Sequence, residues 1–176
     1  MNKGATGMIL KLNLIVDRVE GFLVTALMLV ATVVAIIQVA ARYIFNNSLY
    51  WSEELILYSL ITMSFLTASM GVRYAAHISV EAAYAFVSPR MERVLHFVAV
   101  LLGLVFAATL IWFGTRLSLN TMKMNQLSSA MRIPVGMVYA VIPISGAFMV
   151  IRYCLILREL LAGRDYEAPN VGIKNA

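Results

Sequence analysis

Charge is scarce in this chain. Asp, Glu, Lys and Arg make up 13% of its 176 residues and apolar types 61%, against about 25% and about 45–50% in a soluble domain. One ordinary core has no room for that excess, so the chain is read as a membrane protein. Cysteine is reduced to Cys154, which excludes an intramolecular disulfide and any Cys pair for a metal. The composition also excludes a disordered chain and a cytosolic Rossmann or P-loop enzyme. The net charge is +5, from fourteen basic residues scattered between long apolar runs. That pattern reads as membrane orientation and not as nucleic-acid binding.

Four stretches lack Asp, Glu, Lys and Arg altogether: 21–41, 55–72, 94–115 and 133–151. At about 1.5 Å per residue each reaches roughly 27 to 33 Å, close to the hydrocarbon thickness of a bilayer. They do not alternate in polarity as barrel strands do, and a helix satisfies its backbone within one segment. The expected fold is all-α: an integral membrane four-helix bundle over 1–163 as a single domain, with a flexible cytoplasmic tail over 164–176. Ten Lys and Arg fall on one face of this layout, Arg18, Arg73 and Arg152 among them, and four on the other: Arg42, Arg116, Lys123 and Arg132. The positive-inside rule then places both termini in the cytoplasm. The first run is too long for a cleaved signal peptide and is expected to stay as an anchor.

Between and before the spans, local signals organise the chain. Residues 1–20 are mildly amphipathic and form either a helix on the inner leaflet or an extension of span one. Asn46, Asn47 and Ser48 mark a turn, Ser52 is placed to cap the second helix, and Glu53 and Glu54 suit its positive end. Arg73, His77 and Glu81 recur every four residues, which carries that helix past its span until Ser88 and Pro89 stop it. Pro134 opens span four and Pro143 is expected to kink it. The connection 116–132 is polar and offers a surface to a partner.

No span holds an Asp, Glu, Lys or Arg at mid-depth, where a catalytic or transport site would need one. No catalytic, substrate-binding or metal residue is therefore assigned. Gln38 and hydroxyls such as Thr62, Ser69 and Ser145 are read as helix-to-helix hydrogen bonds, and the pairs Ala31/Ala35, Gly103/Ala107 and Gly136/Ala140 as close-packing sites. Arg42 either pairs with Glu53 and Glu54 or snorkels into headgroups. His77 and His96, near one interface on neighbouring helices, are either interfacial side chains or ligands of a haem b in an oxidoreductase anchor.

The stretch 42–81 carries Arg42, Tyr43, Phe45, Asn46 and Ser48, then Trp51, Glu53 and Glu54, then Arg73, His77, Ile78, Val80 and Glu81. It resembles the signature of the small membrane subunit, DctQ-like, of tripartite ATP-independent periplasmic (TRAP) transporters. A looser likeness follows at Ile133, Pro134, Tyr139 and Pro143. Glu81 stands where the family commonly has Asp, and Thr67 and Ser69 where it has Gly or Ala. The resemblance implies a non-enzymatic scaffold in the bacterial inner membrane. Its partners would be a large membrane subunit, which binds substrate and sodium, and a periplasmic substrate-binding protein. The cargo would be an organic acid, of the C4-dicarboxylate or sialic acid class, and this chain itself would hold no cofactor. The interface candidates are Arg42, Phe45, Asn46, Trp51, Glu53, Glu54, Arg73, His77, Glu81, Pro134 and Pro143.

Overall fold

The charge-free stretches become helices, and the helices outgrow them. A computed structural model describes residues 3–84 and 89–161, with side chains described over 16–72, at 91, and over 94–161 apart from 159. The helices are α1 (Lys3–Ile44), α2 (Ser52–Tyr84), α3 (Pro89–Lys123), α4 (Val135–Tyr139) and α5 (Val141–Leu161). Four segments are long and apolar enough to cross a membrane: Val16–Ile44, Ser52–Val72, Val94–Lys123 and Val135–Arg158, the last built from α4 and α5. No strand occurs among the described residues; an isolated antiparallel bridge joins Leu127 to Pro134.

The helix boundaries follow from local chemistry, with some departures from expectation. α1 is one helix of 42 residues, so the amino-terminal segment continues span one. At about 1.5 Å per residue it is roughly 63 Å long, about twice the hydrocarbon thickness. It ends where Asn46 takes a left-handed conformation, φ 47°, which Asn tolerates better than most residues. Ser52 does not cap α2. The helix already includes it, its hydroxyl donates back to the Leu49 carbonyl at 2.6 Å, and the Trp51 carbonyl accepts the first helical bond from Leu55 N–H at 3.1 Å.

α2 ends at Tyr84 and α3 begins at Pro89, the two sides of the break expected there; Ser88 and the 164–176 tail lie outside the described residues. α3 runs to Lys123, so half of the connection expected over 116–132 is helix. Pro134 occupies the N-cap of α4 instead of its first turn. Pro143 acts one turn ahead of itself: its ring excludes a bond to the Tyr139 carbonyl, and the helix is interrupted at Ala140.

The core lies between α2, α3 and α5, where Val72, Val100, Ala107, Met149 and Ile156 are buried together. Small residues bring the backbones close enough for this. A side chain on Gly103 would run into the Tyr153 ring, and a Cβ on Gly136 would meet the Ser118 carbonyl oxygen at 2.9 Å. The Ser118 hydroxyl uses that proximity to donate to the Gly136 carbonyl at 2.8 Å. α1 packs mainly on α2 and leaves Phe22, Met28, Leu29, Ile36 and other large apolar side chains exposed, as a lipid or protein neighbour requires.

Candidate functional site

Two polar centres hold this bundle, one at each end of the spans. The terminal end is where span one starts and span four finishes. There Arg152 sits within α5 and is 2% exposed. Its Nη1 donates to the Ser69 hydroxyl at 2.6 Å, and its Nη2 donates to Asp17 Oδ1 at 2.6 Å and to Glu20 Oε2. Asp17 and Glu20 are three residues apart and so share one face of α1. Ser69 and Glu20 are almost completely buried. One guanidinium thus ties α1, α2 and α5 together.

From sequence, Arg152 counts among the basic residues outside the spans, on the terminal face, and Asp17 falls in the 1–20 segment read as either a surface helix or an extension of span one; the structure puts both inside membrane-spanning segments. A guanidinium or carboxylate at that depth is tolerable only when paired and hydrogen-bonded. The pairing leaves two atoms over: Glu20 Oε1 and Arg152 Nε are buried and have no hydrogen-bond partner among the described residues.

The loop end holds the second centre. Residues 124–134 leave α3 through Asn125 (φ 48°) and re-enter the bundle after Arg132 (φ 54°). Within this loop Ser128 N–H donates to the Ile133 carbonyl at 2.9 Å and Val135 N–H to the Gln126 carbonyl at 3.0 Å. The intervening turn points three backbone amides at one carboxylate. Glu54 Oε1 accepts from Ser129 N–H at 3.1 Å, and Oε2 from Ala130 and Met131 N–H at 3.0 and 2.8 Å. The Tyr58 hydroxyl adds a fourth bond at 2.9 Å. Successive amides converging in this way form an anion-binding nest, here filled by the protein's own side chain.

Glu53 and Glu54 divide their work because adjacent helix positions point about 100° apart. Glu53 faces α1 and accepts a hydrogen bond from Gln38 Nε2 at 3.0 Å, a helix-to-helix bond of the kind expected for Gln38. Arg42 pairs with neither carboxylate among the described residues; it is exposed at the end of α1. The amides of 129–131 and the Gln38 amide have taken the acceptors an arginine would have used.

Among the other candidates, Phe45 and Asn46 are exposed in the first connection, Trp51 closes it, and Pro134 ends the loop that Glu54 holds. Arg116 lies over the Trp112 ring, 4.7 Å from its centroid. The side chains of Arg73, His77 and Glu81 lie outside the described residues. His96 is half-buried on α3, and its Nε2 has no hydrogen-bond partner among the described residues. Among the described residues no group of three or more His, Cys, Asp or Glu is placed to hold a metal.

The sequence reading missed the Arg152 cluster because it delimited spans by absence of charge, which pushed Asp17, Glu20 and Arg152 outside by construction. The available signal was their position. With an even number of crossings, the head of span one and the foot of span four share a depth, and opposite charges sit at both.

Residues 13–163 match the family of tripartite ATP-independent periplasmic transporters, DctQ component. A curated relative is the C4-dicarboxylate TRAP transporter small permease protein DctQ of Vibrio cholerae serotype O1. It is 24% identical over 170 residues, covering 84% of this chain and 73% of the relative.

Proposed function

The chain belongs to the DctQ component family of tripartite ATP-independent periplasmic transporters, and from that membership we infer that its task as a small permease subunit is scaffolding. It packs in the bacterial inner membrane, both termini in the cytoplasm, against a large membrane subunit that carries the substrate and sodium sites. A periplasmic substrate-binding protein docks on the loop end, over 43–52 and 124–132. The cargo is an organic acid of the C4-dicarboxylate or sialic acid class, and the C4-dicarboxylate for which the Vibrio cholerae relative is named supports the first. The chain is not an enzyme and holds no cofactor of its own.

The observation that carries the scaffold reading is what the paired polar groups at the two ends of the bundle bond to. Arg152 spends both terminal nitrogens on Ser69, Asp17 and Glu20, and Glu54 spends both oxygens on Tyr58 and the loop. These bonds join helix to helix and helix to loop, which supports a rigid part more than a moving or ligand-binding one. The family match does not favour a haem anchor built on His77 and His96.

The deciding experiment is a pull-down of the tagged chain, expressed with its chromosomal neighbours and extracted in mild detergent, with partners identified by mass spectrometry. Recovery of a large multi-span subunit at about one to one is expected. Recovery of the chain alone or with redox subunits would sink the proposal.

A further inference from the structure

The turn that holds Glu54 is braced without it. Ser128 and Ile133 clasp each other reciprocally, Ser128 N–H donating to the Ile133 carbonyl at 2.9 Å and Ile133 N–H to the Ser128 hydroxyl at 3.2 Å. Outside that ring Leu127 bridges Pro134, Val135 N–H donates to the Gln126 carbonyl at 3.0 Å, and Gln126 N–H donates to the Thr121 carbonyl at 3.3 Å. Ser128 and Thr121 are buried, so the base of the loop is anchored in packed structure. None of these contacts involves Glu54. The three amides that meet its carboxylate, at Ser129, Ala130 and Met131, lie between the two clasped residues.

A site shaped in advance of its ligand binds without an ordering cost. This one lies between the third and fourth membrane-spanning segments. Ser129 is exposed, and Glu54, Ala130 and Met131 are half-buried, so the amides open outward once the Glu54 side chain is gone. Their arrangement matches a planar anion with two oxygens: one takes Ser129 N–H and the Tyr58 hydroxyl, the other Ala130 and Met131 N–H. The exposed Arg132 beside them adds positive charge. We propose that residues 128–133 form a preformed carboxylate receptor, which Glu54 occupies as a tethered ligand and which a small free carboxylate fills when Glu54 is removed. Chloride, a single point of charge, does not span the two oxygen positions. Helix α2 holds Glu54 in place at an effective concentration that free acid does not reach, so the unaltered chain ignores dissolved carboxylates. The inference rests on the loop alone and not on the scaffold reading.

The test is hydrogen–deuterium exchange of the full chain in detergent at neutral pH, in about 0.3 M acetate and in chloride of equal ionic strength, which holds screening constant. Glu54→Ala leaves room for one acetate, its methyl in place of the missing Cγ. In that variant the amides of 129–131 are expected to exchange fast in chloride and about tenfold more slowly in acetate, the effect of a site about nine-tenths filled. The amides of Ser128, Ile133 and Val135 are expected to stay protected in both. Glu54→Gln keeps the space filled and is expected to show no acetate effect, like the unaltered chain. Equal exchange of Glu54→Ala in acetate and chloride overturns the proposal, and so does an equal acetate effect in Glu54→Gln, which would place the acetate elsewhere. Loss of protection at Ser128, Ile133 and Val135 in Glu54→Ala, or failure of that variant to fold, overturns it too, because Glu54 would then make the turn. In the unaltered chain the amides of 129–131 are expected to exchange ahead of those three; simultaneous exchange of all six counts against a preformed site. Because the chain is assayed alone, failure here leaves the scaffold reading standing.

Discussion

The two ends of the bundle solve the same problem with different donors. At the terminal end a pair of carboxylates is held by a guanidinium from another helix; at the loop end a single carboxylate is held by three backbone amides and a phenol. The difference follows from what each depth leaves available. Where α1, α2 and α5 lie side by side, the backbone amides are consumed inside the helices, and only a side chain can donate. Where the chain leaves α3, the amides of 129–131 are free, and a carboxylate at the head of α2 collects them. An acidic residue in a membrane protein thus takes its partner from the local backbone geometry as much as from nearby charge.

The sharpest way to break this contrast is Arg152→Met. It strands the buried Glu20 carboxylate and should destabilise the fold by about 3–5 kcal/mol, read as a large fall in thermal midpoint in detergent. Adding Glu20→Gln should recover much of that loss, because the penalty belongs to uncompensated buried charge. A single mutant that melts like the unaltered chain would remove the terminal centre from the account. Next in size is Gly136→Val, which pushes a side chain against the Ser118 carbonyl and should cost about 1–3 kcal/mol by overpacking. A loss of that size would mean that backbone contact, and not only the Glu54 latch, seats α4.

Glu54→Ala is expected to act locally. The amides of Ser129, Ala130 and Met131 should exchange with solvent deuterium much faster, while the thermal midpoint moves far less than in Arg152→Met. Equal damage from the two changes would erase the distinction between the ends. The smallest effect belongs to Arg116→Gln, which removes an exposed cation–π contact with Trp112 worth about 0.5–1 kcal/mol. Its loss should be the only one of the four to shrink in high salt.

The spans, their number and the all-α class were legible from runs of uncharged residues, since a bilayer imposes length and apolarity on any helix that crosses it. Packing at Gly103 and Gly136 was legible too, because small residues four positions apart serve close approach. Pairing was not. A rule that equates span with absence of charge cannot see Arg152, Glu20 and Asp17 inside one. Nor does the dipeptide Glu53–Glu54 reveal that one carboxylate will meet Gln38 and the other a turn 75 residues away. The break at Ala140 illustrates a smaller loss. Pro143 marked the defect, but its effect falls on the carbonyl four residues earlier.

α1 deserves a mechanical description. Over an 18-residue window of its membrane-spanning stretch only 6% of residues are buried, yet that stretch is fastened near both of its ends, through Glu20 to Arg152 and through Gln38 to Glu53. The fastenings are eighteen residues, about 27 Å, apart. A beam supported at two points cannot tilt or roll without pulling one support free, whereas a beam clamped at one end swings. Sideways load on the outer face of α1 is therefore passed to α5 at one support and to α2 at the other, and is not absorbed as rocking.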